Sequence, residues 1–173
     1  MVLASQRFLQ SPIGRLTITA SDEGIVSVLF PGSKDDAFFT KNNIILKAKM
    51  TEHQKMNHET AKVFFEDYFS GLETVTPPLK LLGTAFQLRV LRETLLVGYG
   101  ATCTYSSIAH RISNPKATRA VGQALHLNPI PILIPCHRVV EKDGDIGGFA
   151  GGTNLKSWLI KHEHDMLKKR NKE

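Results

Sequence analysis

The chain has 173 residues, 42% of them hydrophobic and 22% charged, enough to bury one sizeable core or two small ones. Its two cysteines exclude a disulfide framework and a close-spaced zinc pattern, and it shows no signal-peptide pattern and no apolar run long enough to span a bilayer. The formal charge is +6, and the whole surplus lies in residues 81–173, with 13 Lys and Arg against 7 Asp and Glu, while residues 1–80 balance at 9 each.

In chain order, "RLTITA" alternates as a strand, "SDEG" reads as a hairpin turn, and "GIVSVLF" as the returning strand. "PGSKDDAFF" reads as turn and loop. "HETAKVFFEDYFSG" places Ala61, Phe64, Phe65, Tyr68 and Phe69 at helical spacing and stops at Gly71. "TVTPPLK" is extended, because proline disfavours helix there, and it sets a boundary near Lys80 between domains 1–80 and 81–173. "TAFQLRVLRETLLV" predicts a helix ending at "GYG", and "SSIAHRI" a short one. "SNP" offers a cap with Pro115 at the first helical position, and "KATRAVGQALHL" predicts a helix that Asn128-Pro129 stops. Two short helices joined by a tight turn in a basic domain suggest a helix-turn-helix. A basic half beside a neutral one suggests a polyanionic partner; a solvated basic surface with a charged tail, "KKRNKE", is the alternative.

On the second of these helices Lys116, Arg119, Gln123 and His126 form a polar stripe, while Val121 and Leu125 face the core. Between them lie the small residues Ala117, Ala120, Gly122 and Ala124, which allow close approach, either to another helix or to a ligand. After it, Ile130 to Ile134 reads as a buried strand leading to "PCHR". A cysteine attacks as its thiolate and needs a base or a cation to do so near neutral pH. His137 is adjacent to Cys136, but neighbours on a strand point to opposite faces, so direct contact needs a turn or a bridging water. In "TNLKSWLIKHEHDML" the apolar set is Leu155, Trp158, Leu159, Met166 and Leu167, and Glu163 lies on that stripe. A carboxylate there is either the group that orients His137 or a stripe-edge salt bridge. The first possibility predicts a depressed Cys136 pKa that depends on Glu163. Cys103, in "GATCTY", reads as a small buried residue. The glycines of "GDIGGFAGG" permit a backbone wall close to a ligand, without the pattern of a phosphate loop.

"PCHRVV", with "NPIPILI" before it and "GGFAGG" and "KSWLIKHE" after it, resembles the O6-alkylguanine-DNA alkyltransferases. The likeness runs back through "NPKATRAVGQAL", "TYSSIAHRI" and "GTAFQLRVL", and "SPIGRLTITASDEGIVSVLF" and "FFEDYFSG" are similar to the family's first domain. The resemblance implies an α/β N-terminal domain with a ribonuclease-H-like antiparallel sheet. It also implies a mainly α C-terminal domain with a winged-helix-like helix-turn-helix that enters the minor groove. It implies repair of O6-alkylguanine, and by extension O4-alkylthymine, in double-stranded DNA by a monomer without cofactor or metal. The base leaves the stack, and its alkyl group moves irreversibly to Cys136. In that scheme His137 takes the thiol proton through water, Glu163 orients His137, and Asn128 holds the turn. Tyr105 presses on the rotated phosphate and donates to the guanine. Arg119 fills the gap in the stack, and Lys116, Ala117, Ala120, Gly122 and Gln123 face the DNA. The carbonyls of Cys136 and Val139 accept from the guanine amine, and the N–H of Ala150 donates to O6. Phe149 stands where the family often has tyrosine, so a phenol hydrogen bond to O6 is lost. Residues 1–80 contain no cysteine, so the zinc ligands of some members are not evident. The implied location is the cytoplasm or nucleoid, or the nucleus of a eukaryotic cell. Two other readings stay open: a lesion-binding protein without transfer, which Cys136 argues against, and a Cys-His-Glu hydrolase, which would need an oxyanion hole.

Overall fold

Runs of β-branched and apolar residues separated by glycine turns build the first half of the chain. The computed structural model describes residues 1–34, 36–72 and 74–172, which divide into two compact units, Met1–Leu82 and Gly83–Glu173. In the first unit β1 (Val2–Ser11), β2 (Gly14–Ser21) and β3 (Gly24–Leu29) form an antiparallel meander. The turn before β3 depends on Gly24, whose φ is 144° and whose missing Cβ would meet the Pro78 carbonyl oxygen at 2.5 Å. β1 was not evident in the sequence, and neither was β4 (Ile44–Leu46), which pairs in parallel with β1 and gives the order β3-β2-β1-β4. The sheet is therefore mixed rather than wholly antiparallel. β3 already runs in the direction of β1, so a parallel β4 needs a crossover. α1 (Asp36–Lys41) supplies it, inside the stretch read as a loop. Its Phe38 and Phe39 pack against the core formed by Ala4, Val26 and Ile44.

α2 (Glu52–Ser70) packs across β1, β2 and β3 and buries Ala61, Phe64, Phe65 and Tyr68. It begins before the "HETAK" run, because Thr51 and Gln54 form a capping box that satisfies the first N–H groups. Gly71, at φ 73°, ends it.

In the second unit α3 (Ala85–Leu95) starts at a Thr84–Gln87 capping box. β5 (Cys103–Thr104) leads into α4 (Tyr105–Arg111), capped by the Thr104 hydroxyl. A 3₁₀ turn (Pro115–Ala117) then precedes α5 (Thr118–His126). The two helices pack on each other and on α3 as a helix-turn-helix. Asn114 makes no side-chain cap, so Pro115 opens the 3₁₀ turn and the α-helix proper begins at Thr118. The chain continues through a 3₁₀ turn (Cys136–Arg138) into β6 (Val139–Val140), parallel to β5, and closes with α6 (Thr153–Arg170). α6 buries Lys156, Leu159 and Glu163. Trp158, expected in the apolar set, is 38% exposed and stacks on His162 with ring centroids 4.9 Å apart. Among the described residues no helix is long and apolar enough to cross a membrane.

Candidate active site

The segment before Cys136 is not the buried strand its apolar residues suggest. A bend at Pro129–Ile130 and a turn at Ile132–Leu133 fold it back, with Ile132 at φ 71° and the Ile134 N–H bonded to the Ile130 carbonyl at 2.9 Å. Positive φ is rare for a β-branched residue, so tertiary contacts hold it there. Asn128 is the clamp. Its Oδ1 accepts from the Ile130 N–H at 3.0 Å, and its Nδ2 donates to the Ile134 carbonyl at 2.9 Å and to Cys136 Sγ at 3.1 Å.

Cys136–Arg138 forms a 3₁₀ turn rather than an extended strand, so strict strand alternation does not apply here. His137 Nε2 lies 2.6 Å from Glu163 Oε1, and both side chains are buried. Arg138, which the sequence reading passed over, binds the same carboxylate. Its Nε is 3.0 Å from Oε2 and its Nη2 is 3.1 Å from Oε1, while Nη1 donates to the Val97 carbonyl at 2.6 Å. The Gly100 N–H also donates to Oε2, at 2.8 Å. Burial opposes the charge on Glu163, but the hydrogen bond and charge of His137 and the Arg138 guanidinium outweigh it and hold the carboxyl down at about 2. Burial pulls His137 below its ordinary value, with Glu163 opposing it, and the permanent counter-charge on the carboxylate is the Arg138 guanidinium.

The expected depression of the Cys136 thiol is not found. The side chain is buried, and burial pushes its pKa up to about 11, with the Asn128 hydrogen bond and then the charge of Lys156 pulling the other way. Lys156 is the second residue the sequence reading missed. It is completely buried, and its Nζ donates to the Val139 carbonyl at 2.6 Å and to the Tyr105 hydroxyl at 3.2 Å. The signal was present: Lys156 lies three residues before Leu159, on the stripe that singled out Glu163. The Val139 carbonyl thus already accepts one bond, from Lys156. The Tyr105 hydroxyl donates to the Gly148 carbonyl at 3.4 Å, Phe149 is buried, and Ala150 is exposed. Cys103 is half-buried, and burial raises its thiol as well.

Beside these groups lies a cleft of about 670 Å³, walled by Arg119, Gly122 and Gln123 of α5 and by Tyr105, Glu141 and Gly148. Lys116 and Ala120 are exposed and Ala117 is half-buried, but none of the three is part of its wall. At Gly122 an added Cβ would meet the ring of Tyr105, the first residue of α4, at 3.9 Å, an ordinary contact, so the packing of α5 on α4 does not itself demand a glycine here. Cys136 is not part of the wall either. Its charge is coupled to Lys156 and to Tyr105, which does line the cleft.

The model of the 6-O-methylguanine DNA methyltransferase DNA-binding domain matches residues 85–165, and that of the same family's ribonuclease-like domain matches residues 6–80. The chain is 38% identical to a methylated-DNA–protein-cysteine methyltransferase of Methanosarcina barkeri, covering 92% of this chain and 97% of the relative. It is 33% identical to that of Homo sapiens, covering 93% and 81%. Among solved structures, that of Mycobacterium tuberculosis OGT in complex with DNA superposes with a TM-score of 0.79 at 32% identity, covering 94% of each chain.

Proposed function

Because the chain belongs to the 6-O-methylguanine DNA methyltransferase family, we propose that it repairs DNA by moving the alkyl group of an O6-alkylguanine onto Cys136 in one irreversible step. The observation that carries this reading is a buried thiol clamped by Asn128 next to the His137–Glu163–Arg138 cluster. A lesion inside a duplex is out of reach of such a thiol, so the nucleotide turns out of the stack into the cleft beside α5. Arg119, on the exposed face of α5, fills the space it leaves, with Gln123 and Lys116 toward the backbone and Ala117, Ala120 and Gly122 allowing close approach. Tyr105 meets the rotated phosphate and donates to the base. The Cys136 and Val139 carbonyls take the guanine amine, and the Ala150 N–H points to O6. Residues 81–173 carry binding and transfer, and residues 1–80 form the ribonuclease-like domain.

In the free protein the thiol is protonated, which protects it from adventitious oxidation. Glu163 engages Nε2 of His137, so the thiol proton passes through water toward Nδ1, and the buried Lys156 ammonium stabilises the thiolate as it forms. The sulfur attacks the alkyl carbon. An S–C bond forms as the C–O6 bond breaks, and its electron pair stays on the guanine. The product is a thioether, whose sulfur is a poor leaving group, so water does not regenerate the thiol. The protein acts once, as a monomer on double-stranded DNA, without cofactor, in the cytoplasm or wherever the cell holds its DNA. O4-alkylthymine presents the same kind of alkyl–oxygen bond to the thiol.

Incubation with a duplex carrying one O6-methylguanine, followed by intact mass, tests this reading. One added methyl on the wild type and none on Cys136→Ser is the expected result. Tight binding without a mass change would instead fit a lesion binder, and turnover of an ester a cysteine hydrolase.

A further inference from the structure

The cleft that α5 and Tyr105 enclose has a single acidic side chain in its wall, Glu141. Val139 and Val140 of β6 are buried, and the chain then emerges at Glu141 into a closed turn. The Glu141 N–H bonds to the Asp145 carbonyl at 2.8 Å, and its own carbonyl accepts from the Gly144 N–H at 3.1 Å. The backbone that presents the carboxylate is therefore fixed. The side chain reaches back over the glycine-rich loop. A Cβ added at Gly147 would lie 3.1 Å from Glu141 Oε1 and 3.1 Å from the Tyr105 hydroxyl, so the two oxygens are at most twice that distance apart. No hydrogen bond or ion pair holds the Glu141 carboxylate among the described residues. Its charge nevertheless acts on both Tyr105 and Lys156. It is an unengaged anion beside the two side chains coupled electrostatically to Cys136.

We propose that Glu141 sets the charge selectivity of alkyl transfer, disfavouring anionic alkyl groups such as carboxymethyl and favouring neutral or cationic ones. The proposal rests on the reading that the cleft receives the extruded nucleotide. The alkyl group is the part of the lesion that travels towards Cys136, past Tyr105, and Glu141 stands beside that path. An alkyl carboxylate entering there meets a like charge, whereas an alkylammonium meets an opposite one. A unit charge roughly 6 Å away in a part-exposed cleft changes a rate by about tenfold. Arg119 and Lys156 do not cancel this preference, because Arg119 is engaged with the DNA and Lys156 with Val139 and Tyr105.

The test is a comparison of transfer rates by the full-length wild type, Glu141→Gln and Glu141→Lys. The substrates are duplexes carrying O6-methyl-, O6-carboxymethyl- or O6-aminoethylguanine, and the mass of the transferred group is read on the protein. The carboxymethyl-to-methyl rate ratio should rise about tenfold in Glu141→Gln and further in Glu141→Lys. The aminoethyl-to-methyl ratio should move the opposite way. The side chain is exposed and unbonded, so neither variant threatens the fold. Ratios equal in all three proteins, with methyl transfer intact, would overturn the charge filter and leave the repair reading standing. A wild-type protein that transfers no group at all would overturn both.

Discussion

Replacing Glu163 by glutamine changes one oxygen to an NH₂ in a site where every partner is a donor. Oε1 faces His137 Nε2 at 2.6 Å and Arg138 Nη2 at 3.1 Å, and Oε2 faces Arg138 Nε at 3.0 Å and the Gly100 N–H at 2.8 Å. Whichever oxygen becomes nitrogen, a donor meets a donor. The Arg138 guanidinium, only 9% exposed, also loses its counter-charge. Breaking a buried pair in this way costs about 3–5 kcal/mol. Urea unfolding followed by the fluorescence of Trp158, the single tryptophan and a residue of α6, reads this loss where it occurs. Adding Arg138→Met to Glu163→Gln should recover part of the stability, because the stranded charge is removed. The same variant should slow transfer from free O6-benzylguanine and move its pH profile, because Glu163 is what raises His137 against burial. A stability loss below about 1 kcal/mol, together with an unchanged pH profile, would refute the reasoning and reduce the cluster to a solvent-screened surface pair.

Three further outcomes follow from other parts of the chain. Arg119→Ala should lower transfer from duplex DNA on the order of tenfold or more relative to transfer from free O6-benzylguanine, since only the duplex reaction requires an extruded nucleotide; equal losses would make Arg119 structural. Lys156→Met removes a cation that opposes the burial of the Cys136 thiol, so the pH–rate profile with the free base should shift to higher pH, and an unshifted profile would detach Lys156 from the sulfur. His58 is buried against the Ser5 hydroxyl at 3.1 Å, and burial lowers its pKa from 6.5 to about 4. It stays neutral in the folded state, so stability present above pH 6.5 should fall by ~3 kcal/mol as pH drops through about 4. Equilibrium unfolding across that range should show a smaller decline in His58→Gln, and an equal decline would clear His58.

The helices were legible in the sequence where period and punctuation agreed, as at Phe64–Tyr68 before Gly71 and in the run that Asn128-Pro129 stops. The start of α2 was missed because its signal is a Thr51–Gln54 capping box in a polar stretch rather than an apolar stripe. β4 has only three residues, and its pairing with β1 is a long-range contact that no local pattern records. The turns before Cys136 read as a strand because Ile130, Ile132 and Ile134 have strand chemistry, and tertiary packing forces Ile132 to positive φ. Glu163 could be singled out because a carboxylate on an apolar stripe demands a partner. Lys156 met the same criterion by its place on the stripe, but a long cationic side chain usually reaches water, and Arg138 met it only once its burial was seen. The sign of the Cys136 shift was not legible, because proximity to histidine in sequence says nothing about enclosure, and enclosure dominates.

In this mechanism Cys136 accepts one alkyl group and keeps it. Titration of the protein with O6-benzylguanine, read by intact mass and then by peptide mapping, tests it most directly. The expected result is saturation at one benzyl group per chain, located on Cys136, with Cys103 unmodified and no return of free thiol on standing. Guanine release continuing well past one equivalent, or benzyl found on Cys103 with Cys136 untouched, would contradict it.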